Sequence, residues 1–222
     1  MVKVSESIKK ITPYKPGKPI SEVERELGLK ETVKLASNEN PLGPSPKVVE
    51  AVKNAALEAN FYPDGNAFSL KNAIIEYHAK MGEKVEFDEI VVGNGSNEVI
   101  DIGIRTLVGR DEELLVSKQA FVIYELIPAA AEIKVVLVPQ TPDHRIDIDG
   151  YIKFINKNTK MVCLVNPNNP TGTYYSKAEF EKLLKAMPEE AVLLVDEAYV
   201  DFADAPDYPN TMNYRKHHKN TI

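Results

Sequence analysis

The chain has 222 residues, of which 43% are hydrophobic and 27% charged, and this composition is that of a globular protein and excludes a mainly disordered one. Its formal net charge of −6 argues against broad nucleic-acid binding, which needs clustered Lys and Arg. No apolar run has the length of a bilayer crossing and the N-terminus does not resemble a secretory signal, so the sequence predicts a cytoplasmic protein.

The first 45 residues contain many Pro and Gly residues, which predicts an extended arm with one short helix at 20–27. Two helices should follow, one from Ser45 and Pro46 to about residue 59 and one over 69–80 that stops at Gly82. Short apolar segments then alternate with amphipathic ones. The predicted strands are 89–92, 113–116, 134–138, 161–165 and 191–195, and the predicted helices start at residue 97 or cover 123–130, 149–155 and 176–187.

This alternation indicates the fold class. Near-continuous apolar strands separated by helices predict an α/β protein with a mostly parallel sheet and helices on both faces. Ligands of such sheets bind beyond the carboxyl ends of the strands. The polar motifs that directly follow the predicted strands are therefore the candidates for a functional site.

Metal-binding and reactive side chains are few. Cys163 is the single cysteine, and its apolar neighbours predict a core residue and not a nucleophile. His217 and His218 are adjacent and lack the spacing of metal ligands, so no metal site is predicted. The basic cluster at 215–219 is expected to be a solvated loop.

The first motif, residues 93–98, follows a predicted strand and opens a helix. Its sequence is Gly-Asn-Gly-Ser-Asn-Glu, so backbone N–H groups at the helix start could hold a phosphate. A simple strand-to-helix turn is the alternative. A dinucleotide-binding loop is disfavoured because Glu98 stands where the third glycine should be.

Two further motifs follow the last two predicted strands. Residues 166–172 read Asn-Pro-Asn-Asn-Pro-Thr-Gly, which alone could be a tight turn. Asp196 ends the strand 191–195 and begins Asp-Glu-Ala-Tyr, where an unpaired buried carboxylate would be costly. Asp196 therefore needs a cationic partner, unless it only caps the following turn.

These motifs in this order resemble the cofactor-binding motifs of pyridoxal-phosphate (PLP) aminotransferases of fold type I. The resemblance implies PLP as cofactor and an α/β large domain that is incomplete at its C-terminal end. It implies that Asp196 pairs with the protonated pyridine nitrogen, and that Asn169 and Tyr199 reach the phenolic oxygen. Donors for the cofactor phosphate would come from Ser96, Asn97 and Glu98.

The resemblance also implies an aromatic side chain stacked on the pyridine ring. Phe121 stands at the matching place, although core packing is a rival interpretation and Tyr124 is an alternative stacking residue. Tyr62 matches a tyrosine that reaches the phosphate of the neighbouring subunit's cofactor. That match implies a homodimer.

The segment 35–44, the turn at 62–65 and the motifs above resemble histidinol-phosphate aminotransferases. Such enzymes exchange an amino group between histidinol phosphate or imidazole acetol phosphate and 2-oxoglutarate or glutamate in histidine biosynthesis, and Asn40 would contact the substrate. Aromatic aminotransferases and threonine-phosphate decarboxylases are alternative relatives. The arm 1–45 would join a small domain and dimer contacts, and residues 46–222 would form part of the PLP-binding domain.

The resemblance places the lysine that binds PLP covalently, and the C-terminal small domain, beyond Ile222. Lys118 and Lys177 follow serines but stand elsewhere in the motif order, so no catalytic lysine is assigned here. The expectation is an N-terminal portion that is inactive alone. The alternative from another class is a non-catalytic module that binds a phosphorylated ligand or a partner chain. A nicotinamide-binding domain would leave the motifs at 166–172 and 196–199 unexplained.

Overall fold

The computed structural model describes residues 3–14, 17–216 and 218–222, so His217 lies outside the described residues. They form two compact units, one of residues 13–70 and one of residues 3–12 with 71–222. The predicted boundary at residue 45 falls within the first unit, and the division into 1–45 and 46–222 stays a prediction. No helix in the described ranges is long and apolar enough to cross a membrane.

The described residues contain eight α-helices and four strands. The helices are α1 (Glu6–Lys9), α2 (Ile20–Leu27), α3 (Pro46–Ala56), α4 (Phe68–Lys80), α5 (Gly95–Leu107), α6 (Ile123–Ala131), α7 (Ile148–Phe154) and α8 (Lys177–Ala186). The strands are β1 (Glu113–Ser117), β2 (Lys134–Val138), β3 (Thr159–Val165) and β4 (Val192–Asp196). Most of them lie within a few residues of the predicted ranges.

The predicted strand at 89–92 is wrong. Phe87–Glu89 is instead a short 3₁₀ turn, in which the carboxylate of Glu89 accepts a hydrogen bond from the backbone N–H of Glu86 at 2.8 Å. Such local side-chain bonds compete with a strand ladder for the backbone groups. Helix α3 also ends at Ala56, before the predicted residue 59, and α1 was not predicted.

The four strands form a parallel sheet in the order β2-β1-β3-β4. Alternate side chains of β1, β3 and β4 enter two separate cores, since neighbouring residues of a strand point to opposite faces. The core that includes Leu114, Cys163 and Leu194 packs against α5 and α6. The core that includes Leu115, Leu164 and Leu193 packs against α7 and α8. The predicted parallel sheet with helices on both faces is confirmed.

The chain leaves β1 and β3 in opposite directions. It passes from β1 through α6 to β2 on one side, and from β3 through α8 to β4 on the other. In sheets of this kind the reversal opens a crevice at the carboxyl ends of the two strands. Beyond β4, the N–H of Ile222 donates to the carbonyl of Leu193 at 2.9 Å, in parallel pairing that covers the other side of β4.

Helix α8 provides a test of the local stability rules. Ser176 caps it, with its hydroxyl accepting from the N–H of Glu179, and the Glu179 carboxylate accepts from the N–H of Ser176 at 2.7 Å. We expect Ser176→Ala to lower the free energy of unfolding by about 1 kcal/mol, measured by urea denaturation. The control is Ser69→Ala, because Ser69 is an exposed serine within α4. This substitution should not lower the free energy of unfolding. Equal losses in both variants would contradict the capping role.

Candidate active site

Three loops meet at the carboxyl ends of β1, β3 and β4. The side-chain amide of Asn168 donates to the carbonyl of Gln119 at 2.9 Å, which joins the loops after β3 and β1. The N–H of Asn166 donates to the carbonyl of Asp196 at 2.9 Å, which continues the pairing of β3 with β4. The hydroxyl of Tyr124, on the helix that follows β1, donates to Oδ2 of Asp196 at the end of β4 at 2.9 Å. The motifs at 166–172 and 196–199 are therefore neighbours in space.

Asp196 is half-buried at the end of β4 and both of its carboxylate oxygens are held. Oδ2 accepts from Tyr124, and Oδ1 accepts from the backbone N–H of Ala198 at 3.1 Å. Within the described ranges, no Lys, Arg or His nitrogen lies within 4.0 Å of this carboxylate. The cap of the following turn exists, as the alternative interpretation required, and the described residues supply Asp196 with two hydrogen-bond donors but with no cationic partner.

The charge of Asp196 acts on the groups around it. Burial raises the pKa of Tyr124 well above its ordinary value, and the Asp196 carboxylate raises it further. Burial and then Asp196 raise the pKa of the Cys163 thiol, which is fully buried as predicted. Burial also raises the pKa of Glu197 to about 7. A hydrogen bond with Thr211 lowers this pKa, and the nearby carboxylates raise it. The Asp196 carboxylate thus contributes to the raised pKa of all three neighbouring groups.

Asn168 and Asn169 differ in a way the sequence does not reveal. Asn168 is 2% exposed, and its amide group donates to Gln119 and to the hydroxyl of Thr171 at 2.8 Å, so it holds the loop together. Asn169 is half-buried, and its side chain makes no hydrogen bond to another described residue. The amide of Asn169 is therefore available to a ligand in the crevice, whereas the amide N–H groups of Asn168 are used by the protein.

The two candidate stacking residues also have different surroundings. Tyr124 lies in the first turn of α6, is 0% exposed, and uses its hydroxyl on Asp196. Its ring is enclosed by core residues and cannot lie against a ligand. Phe121 precedes the helix and is half-buried at the margin of the same core. Of the two rings, that of Phe121 is the one that a ligand can reach. Tyr199 is half-buried and immediately precedes the 3₁₀ turn Val200–Phe202.

Ser96, Asn97 and Glu98 form the first turn of α5, which starts at Gly95 with a positive φ of 73°. A turn of this shape presents backbone N–H groups at a helix start. The Glu98 side chain folds back, and its Oε2 accepts from the N–H of Asn94 at 2.6 Å. It also accepts from the Asn94 amide at 3.0 Å. Glu98 therefore acts through its carboxylate as a local acceptor, and only its backbone can donate to an anion.

The remaining predicted site residues lie in the unit of residues 13–70. Asn40 is exposed, and its Oδ1 accepts from the N–H of Leu42 at 3.0 Å in the turn before Gly43. Tyr62 is fully exposed, in the segment after α3. Their assignment to substrate and to a neighbouring subunit's cofactor stays a prediction.

One contact of the candidate site was not found from the sequence. The hydrogen bond between Tyr124 and Asp196 joins residues 72 positions apart, and no local sequence pattern predicts it. The tyrosine in the first turn of a predicted helix and the aspartate motif were each visible in the sequence, but their proximity depends on the strand order. Among the described residues, no group of three or more His, Cys, Asp or Glu side chains could hold a metal ion.

The fold is that of an α/β protein with a doubly wound parallel sheet, and the candidate site lies at the crevice between β1 and β3. Residues 30–221 match the family model described as aminotransferase class I and II, and the chain belongs to this family.

The chain is similar to several curated proteins. It is 44% identical to a histidinol-phosphate aminotransferase of Anaeromyxobacter sp. (strain Fw109-5), over 96% of this chain and 57% of that protein. It is 40% identical to a histidinol-phosphate aminotransferase of Halalkalibacterium halodurans, over 100% of this chain and 58% of that protein. The chain thus spans less than three fifths of the length of these relatives.

Solved structures agree on the fold. A histidinol-phosphate aminotransferase from Sinorhizobium meliloti in complex with pyridoxal-5'-phosphate superposes with a TM-score of 0.84 at 23% identity, over 100% of this chain and 57% of that one. An aspartate aminotransferase from Rhizobium meliloti gives 0.80 at 21% identity, over 100% of this chain and 58% of that one. The predicted fold type I is confirmed.

The raised pKa of Glu197, about 7 against 4.5, gives a pH-dependent stability. Between these values the folded chain keeps a proton that the unfolded chain has released, so the stability of the wild type falls as pH rises. Glutamine stays neutral, so we expect Glu197→Gln to gain stability relative to wild type from pH 5 to pH 8, by up to about 3 kcal/mol. The measurement is the thermal midpoint of both chains across this range.

Glu190→Gln is the matched control, because Glu190 is exposed. Its difference from wild type should be the same at pH 5 and pH 8. A difference between Glu197→Gln and wild type that does not change with pH would show that Glu197 is not a buried acid.

Proposed function

We propose that this chain forms the PLP-binding part of an aminotransferase that acts on histidinol phosphate. The single observation that carries the proposal is the half-buried Asp196 carboxylate, held by two hydrogen bonds and lacking a cationic partner among the described residues. Membership of the aminotransferase class I and II family supports it, as do the names of the relatives.

The residues at the crevice fit the cofactor. The half-buried Asp196 carboxylate has hydrogen bonds but no cationic partner among the described residues, and a protonated pyridine nitrogen would supply that partner. PLP, when bound, supplies an electron-withdrawing ring that stabilises negative charge at the α-carbon of an amino substrate. The part of Asp196 is to hold the proton at the ring nitrogen. The free amide of Asn169, together with Tyr199, is suited to donate to the phenolic oxygen, and the exposed side of Phe121 is suited to cover the ring.

The phosphate of the cofactor would lie at the start of α5. Backbone N–H groups at Ser96 and Asn97 are the donors we assign, with the Ser96 hydroxyl as a further one. Glu98 contributes only its backbone N–H, because its carboxylate already accepts from Asn94. Tyr62 is proposed to reach the phosphate bound by a second subunit, which requires a homodimer.

The proposed substrates are histidinol phosphate or imidazole acetol phosphate, with glutamate or 2-oxoglutarate as the other partner. Asn40 is proposed to contact the substrate, and the protein to act in the cytoplasm in histidine biosynthesis. The relatives' names favour this choice over aromatic amino acids or threonine phosphate. Comparing the rates with these amino donors in the full-length protein would decide between them.

The cofactor proposal is tested by titrating the chain with PLP and following visible absorbance. We expect Asp196→Asn to weaken PLP binding about 10- to 100-fold, because an amide cannot form a charge-assisted hydrogen bond with the ring nitrogen. Asp204→Asn is the control, because Asp204 is exposed, lies in the loop region after β4, and its replacement removes the same charge. Its affinity should equal that of wild type.

Far-UV circular dichroism must be the same for the three chains. Loss of affinity in both variants would indicate a general charge effect and contradict the role of Asp196. A wild-type chain that binds inorganic phosphate but not PLP would favour the non-catalytic binding module instead.

We further propose that these 222 residues bind and orient PLP and do not bond to it covalently. Borohydride reduction of the PLP-loaded chain, followed by mass analysis of peptides, should leave no stoichiometric adduct on Lys118 or Lys177. A full adduct on one lysine, with turnover of an amino donor, would contradict this part of the proposal and leave the cofactor assignment intact.

A further inference from the structure

The carboxylate of Asp196 is oriented by donors on two different elements. The backbone N–H of Ala198, two residues on, holds Oδ1 at 3.1 Å, and the hydroxyl of Tyr124 on α6 holds Oδ2 at 2.9 Å. Rotation of an aspartate about its last side-chain bond has broad, shallow preferences, so one donor alone would leave the carboxylate poorly fixed. Two donors, one on each oxygen, set its plane.

We propose that Tyr124 is a positioning residue for recognition of the cofactor's ring nitrogen: its hydroxyl fixes the plane and the charge distribution of the Asp196 carboxylate. This inference rests on the proposed PLP site. It assigns Tyr124 a role through Asp196 and no contact with the ring.

The burial of Tyr124 supports this assignment. Its side chain is 0% exposed and packs in the core of α5, α6 and the sheet, so its hydroxyl cannot turn to solvent. Burial and the charge of Asp196 keep the pKa of this phenol well above its ordinary value, so it remains an O–H donor at any working pH. A hydrogen bond donated to a carboxylate stabilises its negative charge.

The carboxylate keeps capacity for a ligand. An ionised carboxylate can accept about four hydrogen bonds, and the described residues use one on each oxygen of Asp196. A ring N–H can therefore approach without displacing Tyr124. The position of Tyr124 is set in turn by α6, because its ring belongs to the buried core that α6 forms with the strands.

The test compares two ligands on three chains. The ligands are PLP and an analogue in which a C–H group replaces the ring nitrogen. The chains are wild type, Tyr124→Phe and Tyr151→Phe. Phenylalanine keeps the packing of Tyr124 and removes only the hydroxyl. Tyr151 is the matched control, because it is also 0% exposed and donates its hydroxyl to another buried acceptor, the carbonyl of Cys163 at 2.9 Å.

We expect Tyr124→Phe to weaken PLP binding about tenfold and to change the affinity for the analogue less than about twofold, since only PLP offers a nitrogen to Asp196. Tyr151→Phe should leave the ratio of the two affinities at its wild-type value. The ¹⁵N chemical shift of ring-labelled PLP provides a second readout. It should report a protonated nitrogen in wild type and move toward the neutral value in Tyr124→Phe.

Equal losses for both ligands in Tyr124→Phe would mean a structural role only and would overturn the inference. Unchanged PLP affinity together with an unchanged ¹⁵N shift would overturn it as well. Both results presuppose that wild type binds PLP. A wild-type chain that binds neither ligand would overturn the proposed function and the inference with it, so the two failures are distinguishable.

Discussion

The site depends on the parallel pairing of β3 between β1 and β4. Val165 pairs with Asp196 in register, so the ends of β3 and β4 stand side by side. Parallel neighbours require crossover helices, and these bury both faces of the sheet and leave only the strand ends open to ligands. The loop after β1 is brought to the same place by its pairing with β3. Every candidate residue on these loops owes its position to that register.

The same arrangement creates an electrostatic cost. Asp196 and Glu197 are consecutive, and burial of Glu197 raises its pKa to about 7 while the carboxylates of Glu83 and Asp196 add to the effect. The interaction with His78 lowers the pKa of Glu197 and so opposes this effect. Nδ1 of His78 also lies 2.7 Å from Oε2 of Glu83, within hydrogen-bond distance. Asp196 has hydrogen bonds but no cation among the described residues. A folded protein that retains such a charge is stabilised by any ligand that supplies the missing positive group.

The fold could be predicted where burial on both faces leaves a continuous apolar run. The segment 161–165 was found for this reason and is fully buried in β3. The apolar segment 134–138 was also found, although β2 lies at the edge of the sheet and only Val138 is fully buried. Residues 89–92 have a similarly short apolar run, but hydrogen bonds between Glu86 and Glu89 form a turn there instead. A run of this length does not distinguish a ladder strand from an extended segment beside a turn, since the partner that completes a ladder is remote in sequence.

The sequence by itself determined the kind of site: the motifs at 166–172 and 196–199 are local strings, and their chemistry is readable from residue types and order. The tertiary structure shows that Asn168 donates within the protein while the Asn169 side chain makes no hydrogen bond to a described residue. It also shows that Tyr124 is enclosed in the core whereas Phe121 is half-buried. The Asn168 amide donates a hydrogen bond to a carbonyl 49 residues away, and the Tyr124 hydroxyl donates one to a carboxylate 72 residues away. Hydrogen-bond partners so distant are brought together by strand order and register, which no local pattern of residues encodes.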